Sequence, residues 1–516
     1  MQTKIFTLGT LAINGLLRWM DGSLFFRMLV SIFDFFRRVA AGSFILGLFF
    51  AKSDATTQKK GLFETLLDKL LNSRFKPFVL PDAWPRAMSD IFSKSIVISK
   101  LANALGTPIP IGGSSGFRSI LMWAFFAFPA WGTGAVILLT PVLPTMALAY
   151  TLTFVIVFTF LSRRFYVDQF AVVLFLFIFI NFFVAFSSFA LRQSLEIAIL
   201  SSVFMCISVI IPVFAKKKAS IDVFLMAFLG GAALAGLVGM YQHFAGYAAG
   251  AWLDEDLLTY VTFRVFSTFG NPNVYGIYLL LAIPLAAVGI VYFKRSILKL
   301  FCLGLTAILL VNLLLTFSRG SYLALAFSAG VFVLLVEKRF IVLFLPALVG
   351  SLFFLPQAVI VRIQSILNFQ DASTVFRFAI WEGTVRMLRD FWMIGVGQGR
   401  DAFRRVYSFY SLAGTPTQHT HNVFLQIASE IGVLGLIVFI GLLACYFRAM
   451  ANFYVRASSV RHKFLAAVFI AAPLGILLQG LFDHVFFNYS VLLSFYVFLG
   501  IGLACSKVLD LENEVA

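Results

Sequence analysis

Thr417, Gln418, His419, Thr420, His421 and Asn422 run directly into VFLQIASEIGVLGLIVFIGLLACYF, residues 423 to 447. The apolar stretch is long enough to cross a hydrocarbon core of roughly 30 Å as a helix. It is continuous rather than alternating, which fits a helix and not a barrel strand. Asn422 can cap it, and Asn422, Gln426 and Glu430 recur at intervals of four, so they share one helix face. A polar face on a membrane helix normally points into the bundle. Ahead of this mouth lies a long polar segment, from Gln357 to Asn422, that bears seven arginines. The fold class that follows is an all-α polytopic membrane protein with a long, partly helical outer loop before its tenth helix.

The rest of the chain agrees. It is 61% hydrophobic and 12% charged, with a mean hydropathy of +0.96, far from a soluble globular composition. Twelve candidate spans are read: 120–138, 143–161, 166–186, 194–214, 221–241, 273–293, 297–317, 320–336, 340–355, 423–446, 463–482 and 488–506. Residues 1–117 carry 14 Lys and Arg against 7 Asp and Glu. Their apolar runs are broken by Asp34, Arg37 and Arg38, so they read as a basic region of amphipathic helices on the cytoplasmic membrane surface, and 118–516 as the membrane domain. No small-residue cleavage site follows the short apolar run of Met1 to Trp19, so a cleaved signal peptide is not expected. The four cysteines lie in apolar segments without a CxxC pair and read as core residues.

Net charge is +17, yet its distribution points to topology rather than to nucleic acid. Arg163 and Arg164, Lys216 to Lys218, Lys294 and Arg295, Lys338 and Arg339, and the run from Arg448 to Lys463 all fall on one set of turns. The positive-inside rule then puts both termini in the cytoplasm. The opposite side has Arg192, Arg264, Arg319 and the loop residues Arg362, Arg377, Arg386, Arg389, Arg400, Arg404 and Arg405, without a lysine. Arginine alone favours fixed, bidentate contacts with phosphate or carboxylate. Ordinary salt bridges to Asp371, Glu382, Asp390 and Asp401 are the alternative for any one of them.

Particular groups stand out on that side. A His421 imidazole at the mouth of the tenth span could serve as a general base. His419 has the spacing of a metal pair but lacks a third ligand nearby, so no metal is expected. Arg264 precedes Gly270–Asn271–Pro272–Asn273, where Asn271 can cap the sixth span and Pro272 can open it, leaving backbone donors for an anion. Arg319 sits in the tight Ser318–Arg319–Gly320 turn, with snorkelling as its structural alternative. Arg377 and Trp381 lie four apart in an amphipathic helix over 372–391. The GVGQG run, Gly395 to Gly399, lacks a phosphate-loop lysine and reads as a flexible turn.

Taken in order, Arg264 with GNPN, the SRG at 318–320, Arg377 with Ile380 and Trp381, GVGQG, and HTHN followed by Glu430, Gly432 and Gly435 resemble the O-antigen ligase and polymerase superfamily of bacterial membrane glycosyltransferases. The similarity spans roughly Ile120 to Cys505; the basic region before Arg118 departs from the family pattern. The resemblance implies a GT-C-like fold of about 12 helices in the inner (cytoplasmic) membrane, with the active site on the outer face. It implies an inverting, metal-independent transfer without a cofactor, from an undecaprenyl-diphosphate-linked glycan donor to a lipid A-core or other glycan or lipid acceptor. His421 would activate the acceptor hydroxyl. Arg264, Arg319 and Arg377 would hold the diphosphate, with Asn273, Asn422 and Glu430 beside them. Membrane lipids are the other expected partner. A polymerase extending a carrier-linked chain uses the same groups. A transporter for lipid-linked anions is the competing class, and would place ionisable groups at mid-membrane, reachable from both sides.

Overall fold

The computed structural model describes residues 7–42, 100, 117–162, 168–246, 263–337, 346, 350, 356–364, 372–414 and 417–515. Among them the chain is all-helical: α1 Thr7–Gly22, α2 Leu24–Gly42, α3 Phe117–Leu139, α4 Thr145–Ser162, α5 Gln169–Phe186, α6 Leu191–Phe214, α7 Lys218–Ala245, α8 Pro272–Tyr292, α9 Ser296–Thr316, α10 Arg319–Val336, α11 Gln357–Gln364, α12 Ala372–Phe391, α13 Arg400–Tyr407, α14 Val423–Arg456, α15 Val460–Gln479 and α16 Tyr489–Val515.

Nine of these, α5 to α10 and α14 to α16, are long and apolar enough to cross a membrane. The sequence reading expected twelve spans, and the difference has identifiable sources. Spans 120–138 and 143–161 fall on α3 and α4, whose described apolar parts, Ala127–Leu139 and Thr145–Thr159, are shorter. Most of span 340–355 lies outside the described residues, as do Arg163, Arg164, Lys338 and Arg339.

Side-chain caps start several helices. Asp168 accepts from the Ala171 amide at 2.8 Å ahead of α5, and Ser459 accepts from the His462 amide ahead of α15. Asn271 accepts from the Asn273 amide at 2.8 Å, with Pro272 in the first turn of α8. Small residues then bring helix backbones together. A Cβ on Gly276 of α8 would meet the Ser321 hydroxyl of α10 at 2.3 Å, and one on Gly500 of α16 would meet the Ser208 Cα of α6 at 2.9 Å. Lipid tails offer little hydrophobic drive between helices, so this close contact and its dispersion energy hold the bundle. Buried aromatic rings fill what remains, such as Phe469 against Phe498 at 4.8 Å.

The bundle has two chemically distinct ends. One carries the lysines: Lys507 pairs with Asp168 at 2.6 Å, Lys218 lies over the Tyr292 ring and Lys463 over Tyr454. The N-terminal helices dock at this end. Asp21 pairs with Arg448 of α14, whose guanidinium lies 4.4 Å from the Phe26 ring centroid, and Gly9 fits against the Leu335 carbonyl and the Tyr454 hydroxyl. At the other end, α8, α10 and α14 begin while α9 and α15 finish, and the arginine-bearing α11 to α13 cover them.

Candidate active site

The histidine turn is held by its own polar groups. Thr420 donates its amide to Gln426 Oε1 at 2.7 Å and its hydroxyl to the Asn422 carbonyl at 2.7 Å. Asn422 Oδ1 accepts from the Phe424 and Leu425 amides at 2.9 and 3.0 Å, the cap expected for α14, and its Nδ2 donates to the Leu481 carbonyl. Trp381 of α12 donates its indole N–H to the Thr420 carbonyl at 2.9 Å. Between these ties His421 adopts the left-handed region, φ 51°. A non-glycine residue persists there only when its surroundings over-determine it, and such positions cluster at functional sites.

The turn between α15 and α16 supplies the partner. Asp483 Oδ1 lies 3.6 Å from His421 Nδ1, with 28% of the histidine side chain and 26% of the aspartate side chain exposed, so the pair is sheltered yet reachable. The His419 ring is 4.1 Å from that of His421 and 5.6 Å from that of His484. Burial, and then the neighbouring His421, push His419 down to about 4; burial and His419 push His484 down to about 3. Burial alone would raise the Asp483 carboxyl. The His421 imidazole 3.6 Å away, and then the charges of His419 and Arg377, hold it below its usual value instead. Arg377, half-buried on α12, is thus close enough to Asp483 for its charge to be felt, and it makes no hydrogen bond among the described residues.

The other arginines gather where α9 gives way to α10. Buried Arg264 donates Nε to the Thr316 carbonyl at 2.8 Å and Nη2 to Asn273 Oδ1 at 2.9 Å, so the structure brings these two expected site residues together. Arg362, counted among the loop arginines but not singled out from the sequence, is also buried and donates Nε to the Phe317 carbonyl at 3.0 Å. Arg319 opens α10, half-exposed. Ser321, two residues on, donates to Gln479 Oε1 at 3.2 Å, tying this turn to the end of α15, four residues before Asp483.

Glu430 lies on the inward helix face that its spacing from Gln426 predicted. Its Oε1 accepts from the Gln426 side chain and from the Gly399 amide, both at 2.9 Å. It links the polar stripe of α14 to the GVGQG run, and through Gln426 it supports the histidine turn. GVGQG itself is a packed wedge, not a flexible turn. Helix α14 breaks at Gly432, φ 77°, and the run enters the break: the Val396 and Gly397 amides donate to the Ser429 and Glu430 carbonyls at 2.8 and 3.0 Å, and the Val433 amide donates to the Trp392 carbonyl at 2.7 Å. Among the described residues no three His, Cys, Asp or Glu side chains are placed to hold a metal ion.

Asp483 and His484 escaped sequence reading because they are distant in sequence from His421. The available signal was a charged side chain hard against the end of an apolar span.

This geometry fits what comparison with known families finds. Residues 304–440 match the family model described as O-antigen ligase. The O-antigen ligase-like segment contains Arg319, Arg362, Arg377, GVGQG, His421 and Glu430, while Arg264 and Asp483 lie outside it. The match makes this segment O-antigen ligase-like and, with the nine long apolar helices, suggests a multipass membrane protein of the glycosyltransferase kind. No curated protein matches the chain significantly.

Proposed function

We propose that the protein transfers a glycan from an undecaprenyl-diphosphate carrier to an acceptor hydroxyl, at the arginine-bearing end of the bundle and on the outer face of the cytoplasmic membrane. The observation that carries this reading is His421 in a strained turn, with Asp483 on one ring nitrogen and the charge of Arg377 felt at Asp483.

Asp483 faces Nδ1, so Nε2 is the nitrogen offered to substrate. As the acceptor oxygen bonds to the anomeric carbon, its proton passes to His421 Nε2, and Asp483 stabilises the imidazolium that forms. The bond from the anomeric carbon to the phosphate oxygen breaks on the opposite side, giving inversion, and the diphosphate leaves. Its growing negative charge meets Arg377 and Arg319, which therefore stabilise the transition state more than the ground state. Arg264 and Arg362 add positive potential from behind, while their Nε groups brace the residue 316–317 carbonyls. Proton transfer and charge stabilisation here need no metal.

The test is mass spectrometry of products formed by the purified protein from a carrier-diphosphate glycan with chelator present, run with and without a separate lipid A-core acceptor. Transfer only when the acceptor is added supports a ligase. Lengthened carrier-linked products without it would assign the chain to polymerisation instead. Loss of transfer in chelator would sink the metal-free mechanism.

A further inference from the structure

A group of aromatic rings beside His421 is used by none of the steps above. Phe378 and Trp381 share a face of α12 with Arg377. Phe378 meets Trp381 edge-on at 5.3 Å between centroids, and Phe482, next to Asp483, lies 6.4 Å from Trp381 at a tilt of 38°. Phe378 and Phe482 keep 55% and 52% of their surface. Trp381 is pinned by its hydrogen bond to the Thr420 carbonyl, one residue from His421. A fixed tryptophan flanked by two exposed phenylalanines is large, apolar and preorganised, at a point where solvent reaches it.

The geometry points to Phe378, Trp381 and Phe482 as a stacking platform for the pyranose ring of the acceptor glycan, the ring whose hydroxyl is presented to His421. This rests on the transfer reading above. A pyranose has a face of C–H bonds that packs against the negative face of an aromatic ring, while its hydroxyls stay at the edge for hydrogen bonding. A polyprenyl chain or the bilayer is a poorer occupant. Helix α12 carries Glu382, Arg386, Arg389 and Asp390 in the turns that follow, with Arg386 and Glu382 in an exposed ion pair at 2.7 Å, and such a helix does not sit in hydrocarbon. Phe482 belongs to a turn outside the spans and adjoins the Asp483 carboxylate. A neutral ring with an apolar face and a polar rim matches that mixed surface. The donor's diphosphate has the arginines.

Phe378→Ala and Phe482→Ala each remove one exposed ring and leave Trp381 and its hydrogen bond in place. Each is expected to raise the acceptor KM by about tenfold while the donor KM stays within about twofold. Phe482→Trp should restore the acceptor KM and Phe482→Leu should not. Unchanged acceptor KM in both alanine variants overturns the platform, as does rescue by leucine equal to that by tryptophan, which would mark a lipid-facing apolar patch.

A binding measurement separates this from the transfer reading. Deacylated core oligosaccharide, and repeat-unit glycan released from its carrier, are titrated into the purified protein, and tryptophan fluorescence is followed in the unmodified chain and in Trp381→Phe. A saturable change with either sugar, lost in Trp381→Phe, supports the platform even if no turnover is seen. No change with either sugar overturns it, even if wild-type transfer is intact.

Discussion

His421 combines a left-handed backbone, a carboxylate on Nδ1 and a second imidazole 4.1 Å away ring to ring. If Asp483 orients the ring and stabilises its cation, Asp483→Asn should lower kcat by about 10²-fold or more while KM for either substrate moves little. Equal losses in kcat and in folded yield would reduce Asp483 to a structural role. The neighbouring groups also set an acid limit. His419 and His484 are held neutral well below an unfolded histidine, so the unfolded chain binds more protons as pH falls below about 6.5, and stability declines with it. Asp483, held low, adds stability above its unfolded value of 3.8 that is lost only in stronger acid. Thermal unfolding in detergent should therefore show a lower midpoint at pH 5 than at pH 7.5, with a smaller difference in His419→Gln. An equal or larger difference in that variant would contradict the cause given. His421 and its cap Asn422 were legible because a polar mouth on an apolar run is a local pattern. Asp483 and Arg362 were not, because their partners come from other helices.

At the scale of elements, the joint between GVGQG and α14 supports the histidine turn through Glu430 and Gln426. The loop amides at 396 and 397 take the carbonyls freed where α14 breaks, so the break leaves those polar groups satisfied. Gly432→Ala would force a side chain into a positive-φ conformation that is almost confined to glycine, costing about 1–3 kcal/mol, and would place its Cβ 2.1 Å from the Met393 carbonyl oxygen. The expected result is a marked drop in thermal midpoint together with loss of transfer. Gly304→Ala, in helix α9 with nothing within 4 Å of the added methyl, should be neutral or stabilising by about 0.5–1 kcal/mol. Similar midpoints for the two variants would contradict the wedge. The run was read as a turn from its glycines alone. The break in α14 was invisible, since 423–447 reads as one continuous span and only the inserted loop accounts for the kink.

Across the whole molecule, lysines mark one end of the bundle, and arginines with the histidine turn mark the other. Among the described residues the ends of α8, α9, α10, α14 and α15 lie at the second end, a convergence that hydropathy does not report. The class of the chain and nine of its spans could be read from apolar length. The docking of α1 and α2 onto α14 could not, because the Asp21–Arg448 contact is long-range and basic amphipathic helices read as surface elements. Sidedness can be tested with a membrane-impermeant maleimide on intact cells. Gln418→Cys should be labelled and Lys294→Cys protected until the membrane is opened, against a low background from native cysteines, of which three are buried and Cys206 is partly so. The reverse pattern would put the histidine turn in the cytoplasm.

The most direct test compares wild type with His421→Ala in the purified transfer assay, using a carrier-diphosphate glycan and acceptor with products resolved by mass spectrometry. Loss of about 10²- to 10⁴-fold in kcat, with the donor still bound and the fold intact, is the outcome the account predicts. Transfer at the wild-type rate by the alanine variant would contradict it.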